Sequence, residues 1–337
     1  MSSSPSSACP PTAPAPAPHR RAAGLAAAAE RCVRSAARAL SDSGDGRLAV
    51  AAKGRFDPVT DADTAVERYL SEALRSAVPG SAVVGEEGGG LPGTAGVTWF
   101  VDPIDGTGNF LRGLPFACIS VGAAVQGRLV AGCVYDVFRN ECFTGGPGLP
   151  LRTGAEQGTA ARPPATEGAP TPLVLTDIPL PGRAGARELA FFADLLDRAE
   201  VRRVYSTALS LAWVAAGRAD AACNLGVHPW DVAGGAALVR SAGGVYTPVG
   251  TVSAPDSAQE GPQEPLPPEL ASGFTATAAG SRSRAFGRWL TERVSCLAEP
   301  EEAPEAPEHD PAAPAAVPQG PPGDSHVRAM PRGRGGV

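Results

Sequence analysis

The chain has 337 residues, of which 43% are hydrophobic and only 5% aromatic, with 29 Lys+Arg against 35 Asp+Glu and a net charge of −6. That length exceeds what one small core organises and predicts two packed lobes. The acidic balance argues against nucleic acid as the main partner. No apolar run reaches the roughly 18–20 residues of a membrane helix, so no membrane partner is expected. Seven scattered cysteines without a C-x-x-C pair indicate neither a disulfide framework nor a zinc site. With only four scattered histidines, carboxylates must hold any metal.

Residues 1–19 are mostly Ser, Ala and Pro and are expected to be a disordered tail. The apolar stretch Ala22–Ala29 is too short for a secretory signal, and Glu30, Arg31 and Arg34 follow it at once, so a cytoplasmic location is expected. The spacing of Leu25, Ala29, Cys32, Val33 and Ala36 predicts an amphipathic helix over Arg20–Leu40. A helix over Thr64–Leu74 follows the cap-type residues Thr60, Asp61 and Asp63. Strands are predicted at Ala82–Val84, Trp99–Val101, Cys118–Val125 and Leu129–Phe138. Gly145–Pro172 and Ala254–Pro268 read as loops. In the second half, strands are predicted at Leu173–Thr176 and Thr275–Ala279. Helices are predicted at Ala186–Ala199, Leu209–Ala216, Trp230–Ala242 and Arg284–Cys296. The domain reading is a tail 1–19, an N-terminal lobe 20–150, a linker 151–171, a C-terminal lobe 172–298 and a disordered tail 299–337. The mixture is that of an α/β or α+β enzyme.

The most informative segment is residues 99–110, W-F-V-D-P-I-D-G-T-G-N-F. An apolar strand runs into two carboxylates, Asp102 and Asp105, then into a Gly-Thr turn and a helix start. Pro103 fixes the turn, and Ile104 can offer its carbonyl. Gly106 admits close approach of an anion, so the amides of Gly106 and Thr107 suit a phosphate. An Asp-capped turn would explain this segment alone. Glu86 and Glu87, ending a separate strand, and Asp231, opening a distant helix, also carry carboxylates at element ends. Each has its own plain reading, as a solvated charge, a cap or a helix-dipole partner. Together they suggest a hard-cation site for phosphate chemistry.

D-P-I-D-G-T-G-N-F resembles the signature of the inositol monophosphatase family of magnesium-dependent sugar phosphatases. Further matching segments are Lys53 with V-T-D-A-D at 59–63, G-E-E at 85–87, G-L-P-F at 113–116, A-G-C-V-Y at 131–135, A-A-G-R-A-D at 215–220, W-D-V-A-G-G at 230–235 and A-G-G at 242–244. The resemblance covers roughly Arg20 to Cys296. It implies an α/β/α/β/α sandwich of five layers, a homodimer, lithium inhibition, and a Mg²⁺-dependent phosphomonoesterase working by metal-activated water. By resemblance, Glu86, Asp102 and the Ile104 carbonyl bind one Mg²⁺, and Asp102, Asp105 and Asp231 a second. Thr107, partnered by Asp63 and helped by Glu86, orients or deprotonates the water. Asp105, Gly106, Thr107, Ser206, Thr207 and Asn224 bind phosphate or substrate. Lys53 is implied near a third, weaker metal.

Two positions depart from the family pattern. Gly108 stands where Thr is usual, which leaves Thr107 in place. Asn224 stands where inositol-specific members commonly carry Glu, which puts inositol itself in doubt and admits another polyol, sugar, amino-alcohol or nucleoside phosphate. Alternatives of the same fold are phosphatases of histidinol phosphate, fructose 1,6-bisphosphate, a 3′-phosphonucleotide or a specialised metabolite. A non-catalytic regulatory protein is the alternative of a different class; lost metal ligands would mark it, and none is missing.

Overall fold

The structure, a computed structural model, describes residues 18–42, 49–54, 57–88, 90–155, 171–182, 184–252 and 266–299. The predicted tails (apart from their innermost residues), most of the 151–171 linker and the Lys53 side chain lie outside the described residues. The first part of the chain forms α1 (Pro18–Asp42), β1 (Val50–Gly54), β2 (Asp57–Thr60), α2 (Asp61–Ala77), β3 (Ala82–Gly85), β4 (Gly90–Leu91) and β5 (Val97–Asp105). Then come α3 (Thr107–Phe110), β6 (Cys118–Val125), β7 (Arg128–Asp136), β8 (Glu141–Gly146), β9 (Leu149–Ala155) and β10 (Leu173–Thr176). The rest is α4 (Ala186–Leu196), β11 (Glu200–Arg202), α5 (Thr207–Ala215), β12 (Ala221–Leu225), α6 (Pro229–Ser241), β13 (Val245–Val249), β14 (Gly273–Thr277) and α7 (Ser281–Ala298).

A seven-stranded sheet has the order β4-β3-β5-β6-β7-β8-β9, and a five-stranded sheet the order β11-β10-β12-β14-β13. The larger sheet is antiparallel except for the β3–β5 pair. In β6, Ile119, Val121 and Ala123 pack with α1 and α2, while Cys118 and Ala124 join the core around α5 and α6. Alternate side chains therefore serve two cores, which is why the strand is apolar apart from Ser120. In β12, Ala221 and Cys223 face the core containing Phe191 of α4 and Leu290 of α7, and Ala222 faces α5 and α6. The layers run α1/α2, large sheet, α5/α6, small sheet, α4/α7, which is the expected five-layered α/β/α/β/α arrangement.

The expected face of α1 is the buried one, with Leu25, Ala29, Val33 and Ala36, and α2 buries Val66, Leu70 and Leu74. The segment expected to be a loop from Gly145 instead completes β8 and forms β9, which pair as a hairpin turning at Gly148. The expected strand Leu129–Phe138 ends at Asp136, whose carboxylate accepts the Phe138 and Arg139 N–H groups. An aspartate bonding the backbone two and three residues on diverts the chain into a turn. Across the layers, Arg218 donates to both oxygens of the buried Glu141. This explains the Arg of the A-A-G-R-A-D segment as a clamp between α5 and β8. Asp220 of that segment ties the start of β10, accepting the Leu173 N–H at 2.8 Å.

The middle layer sits very close to the large sheet. A Cβ on Gly122 of β6 would strike the Cβ and backbone of Ala233 in α6. Gly122→Val is therefore expected to destabilise the fold by about 3 kcal/mol, read as a lowered midpoint in urea unfolding; an unchanged midpoint would refute the close approach. Among the described residues no helix is long and apolar enough to cross a membrane.

Candidate active site

The parallel β3–β5 pair puts two strand ends side by side, with Gly85 opposite Val101. Glu86 and Asp102, the next residue on each strand, are thereby neighbours. On the other side of β5, Asp102 pairs with Ser120 and Asp105 with Cys118. Three residues on β5 thus span two on β6, a bulge at Pro103 and Ile104. In a regular strand, positions three apart face opposite ways. The extra residue restores a two-rung separation, at which side chains share a face. This is the physical reason for the D-x-x-D spacing.

Asp102 is only 2% exposed, and among the described residues its Oδ1 has no hydrogen-bond partner. Burial, then the charges of Glu86, Asp105, Asp231 and Asp63, push its carboxyl well above the usual range. Four acidic groups from four elements thus act on one buried carboxylate. Asp105 is anchored differently. Its carboxylate accepts the Ser206 hydroxyl at 2.8 Å and the N–H groups of Thr207 at 3.2 Å and Ala208 at 2.6 Å. It caps α5 from another layer, whereas Ser206 at the N-cap position makes no capping bond of its own. Burial raises the Asp105 pKa to about 6 against the pull of these bonds.

Asp63 lies at the third position of α2 and is fully buried. It accepts the Thr60 N–H at 2.8 Å and the Thr60 hydroxyl at 2.5 Å in a capping box, and its other oxygen lies 3.2 Å from the Thr107 hydroxyl. The same carboxylate thus caps α2 and meets the Thr107 hydroxyl. Burial raises its pKa. The Thr107 hydroxyl also lies 2.9 Å from the Ile104 carbonyl. Gly106, with φ of 87°, adopts the left-handed conformation, and a Cβ there would meet the Phe116 carbonyl at 2.6 Å. Both constraints select glycine. Asp231 opens α6 and accepts the His228 N–H at 2.8 Å.

Glu67, Asn109 and Asp177 were not singled out from the sequence, and all three position the site. Glu67, one turn beyond Asp63 on α2, accepts the Glu87 N–H at 2.7 Å and the Gly88 N–H, fixing the bend that carries Glu86. Its i, i+4 relation to Asp63 was the available signal. Asn109 donates to the carbonyls of Phe116 at 2.9 Å and Val204 at 2.8 Å, tying α3 to the approach to α5. Asp177, after β10, accepts the Tyr205 N–H at 3.0 Å. Asn224 is buried against Asp177 and Thr207. Its oxygen accepts the Asp177 N–H at 2.7 Å, and its amide lies 3.1 Å from the Thr207 hydroxyl. The group expected to meet substrate hydroxyls is turned into the protein, because the buried Asp177 takes up its hydrogen-bonding capacity.

A match to the model of the inositol monophosphatase family spans residues 19–277. The chain belongs to this family. Among relatives, the Nus factor SuhB of Escherichia coli is 38% identical over 200 residues, covering 58% of this chain and 73% of the relative. The inositol-1-monophosphatase of Mycobacterium bovis is 38% identical over 226 residues, 65% of this chain and 78% of the relative. Among solved structures, the suhB protein of Bartonella henselae superposes with a TM-score of 0.63 at 28% identity, covering 79% of this chain and 98% of its own. The inositol monophosphatase of Anabaena gives 0.61 at 28% identity, covering 81% and 97%.

Magnesium is the metal that membership of the inositol monophosphatase family implies. Among the described residues no three His, Cys, Asp or Glu side chains gather tightly enough to close around one ion. Asp63, Asp105 and Asp231 are each satisfied by nearby N–H or O–H donors instead. The residues nevertheless fit a hard dication. The Asp102 Oδ1 is a buried carboxylate oxygen without a donor among the described residues, and Glu86, Asp105, Asp231 and Asp63 bring further carboxylates to bear on it. A cavity of about 420 Å³ between β13, β14 and α7, lined by Thr247, Thr275, Thr277 and Arg288, includes none of these residues.

Proposed function

We propose that this chain is a Mg²⁺-dependent phosphomonoesterase acting on an inositol phosphate or a related sugar or polyol phosphate. The observation that supports this reading most is the orphaned Asp102 oxygen, buried within the field of Glu86, Asp105, Asp231 and Asp63. In the proposal, Glu86, Asp102, the Ile104 carbonyl, Asp105 and Asp231 hold magnesium. When bound, magnesium supplies an acidified water at neutral pH and neutralises charge on the phosphate and the leaving oxygen. Gly106 and Thr107 turn their amides to the phosphate oxygens. The Thr107 hydroxyl holds the attacking water and passes its proton to Asp63 Oδ1, where burial has raised the proton affinity. Glu67 keeps Glu86 in place through the 86–88 bend, and Asn109 holds the cradle against the α5 approach. Ser206 and Thr207 serve by anchoring Asp105 to α5. We place the enzyme in the cytoplasm as a homodimer, an assembly that light scattering tests.

The test is release of inorganic phosphate, with and without Mg²⁺, from inositol 1-phosphate, histidinol phosphate, fructose 1,6-bisphosphate and a 3′-phosphonucleotide. Thr107→Val keeps the shape and removes the hydroxyl. It is expected to lower turnover by about 10²- to 10⁴-fold, with the circular dichroism spectrum unchanged; turnover within threefold of wild type would remove Thr107 from the proton path. A second reading has the names of several relatives behind it: a regulatory protein like those called Nus factor. That reading gains if no panel member yields phosphate in a Mg²⁺-dependent way, and with it the expectation of no nucleic-acid partner is withdrawn.

A further inference from the structure

We propose that Cys133 and Cys142 form a two-thiolate clip for a soft, sulfur-seeking dication such as Zn²⁺ or Cd²⁺, separate from the magnesium ligands named above. The inference stands apart from the phosphatase reading and does not depend on it.

The two cysteines lie on neighbouring strands, β7 and β8. Cys133 pairs with Thr144, while Cys142 sits two positions back along β8, opposite Tyr135. The two side chains therefore share a face as diagonal neighbours. Their Sγ atoms are 3.5 Å apart. The Thr144 hydroxyl meets both, 3.5 Å from the Cys142 sulfur and 3.8 Å from the Cys133 sulfur. Both cysteines are buried, on the face of the large sheet turned to α1 and α2. Among the described residues the other cysteines, Cys32, Cys118, Cys223 and Cys296, have no thiol neighbour.

The register separates two fates for such a pair. Diagonal neighbours stand about 7–8 Å apart, beyond the span of roughly 4.4–6.8 Å between Cα atoms that a disulfide bridges. A tetrahedral dication with metal–sulfur bonds of about 2.3 Å instead holds two sulfurs about 3.8 Å apart. The thiols need to part only slightly from their present 3.5 Å to accept it. On binding, the cation displaces both thiol protons to solvent, and the two thiolates cancel its charge, so the complex is neutral inside an apolar core. The S–H bond donated by Cys133 lowers the Cys142 pKa, which marks Cys142 as the first sulfur to take the metal. Thr144 supplies an oxygen beside the two sulfurs. Glu30 and Arg34 of α1 act on the pair, but Glu30 is held by Arg34 and Arg152 and is not counted as a ligand. That partly exposed ion pair marks the seam between α1 and the sheet through which a cation enters. Magnesium, which prefers oxygen donors, is not expected here, whereas thiolates select softer cations.

The experiment titrates Cd²⁺ into the full chain carrying Cys9→Ser and Cys296→Ser, with Mg²⁺ present throughout. Those substitutions remove one thiol outside the described residues and one exposed thiol. This parent chain is expected to bind one cadmium, to show the sulfur-to-cadmium charge-transfer band in the ultraviolet, and to melt at a higher temperature with the metal than without it. Cys133→Ser and Cys142→Ser are each expected to lower cadmium affinity by at least about 100-fold, the upper end of what loss of an outer-shell partner costs a metal site. The double variant is expected to lose the band. Absence of the band in the folded parent overturns the proposal, as does a band that survives the double substitution. Isolation of Cys133 and Cys142 as a disulfide would overturn it too. Should a serine variant fail to fold, Cys142→Val keeps the site apolar, and the same loss of affinity is expected of it; undiminished cadmium binding by that variant counts against the clip.

Discussion

Asp102→Asn is expected to lower Mg²⁺-dependent phosphate release by at least about 10³-fold while leaving the metal-free fold as stable as the wild type, or more so. Asp102 is the carboxylate that Glu86, Asp105, Asp231 and Asp63 act upon, and its Oδ1 has no donor among the described residues. The amide removes one negative charge from a buried cluster of like charges, which relieves repulsion in the absence of metal. It also removes the oxygen best suited to a dication, and with it the charge stabilisation such a centre supplies, worth several kcal/mol in the transition state. Two measurements are needed together. Loss of turnover with an unchanged or higher melting temperature supports the reading. Turnover within tenfold of wild type at ordinary Mg²⁺ would falsify it, and loss of both turnover and fold would show that Asp102 has a structural role not visible in its contacts.

The second large effect is a link between pH, magnesium and stability. Burial raises the pKa of Asp63, Asp102, Asp105 and Asp177 in the folded chain, to about 6 for Asp105. In the unfolded chain these groups titrate near about 3.9. Between those values the folded chain retains protons that the unfolded chain has released, so stability falls as pH rises through the window. For Asp105 alone the shift corresponds to roughly 3 kcal/mol, reduced by solvent at its partly open edge. The metal-free chain is therefore expected to melt at a lower temperature at pH 7 than at pH 5. Bound Mg²⁺ offsets the repulsion that appears at the higher pH and stabilises by mass action. Its addition should raise the melting temperature more at pH 7 than at pH 5. A metal-free melting temperature that climbs from pH 5 to pH 7, with the same Mg²⁺ increment at both, would contradict the acidic centre.

Much of this protein was readable without coordinates. Helices α1, α2, α4, α6 and α7 showed themselves through apolar spacing, β3 and β5 through apolar runs ending in carboxylates, and β6 through an apolar run ending in a turn. Periodicity is a local signal, and these elements satisfy it locally. The D-P-I-D-G-T segment and its distant partners Glu86 and Asp231 could be named because carboxylates at element ends are recognisable one by one. What was missed has a common cause. The strand β12, A-A-C-N-L, carries no β-branched or aromatic residue, and it is a strand because neighbours pair on both sides of it and helices cover both its faces. The segment Leu149–Ala155 read as loop, and it is a strand because β8 offers it an edge.

Side-chain roles divided in the same way. The sequence by itself determined which carboxylates were available, that Gly106 could admit an anion close to the backbone, and that Thr60 and Asp63 could cap a helix. Only the tertiary structure decided where each of those groups points. It turned Asp105 to the start of α5, closed Asn224 against Asp177, aligned Glu86 with Asp102 through the β3–β5 register, and left the Asp102 oxygen without a donor. Residue type and local spacing are properties of a few consecutive positions, whereas a hydrogen-bond partner or a shared electrostatic field belongs to groups that folding brings together from as many as 129 positions apart, as with Asp102 and Asp231.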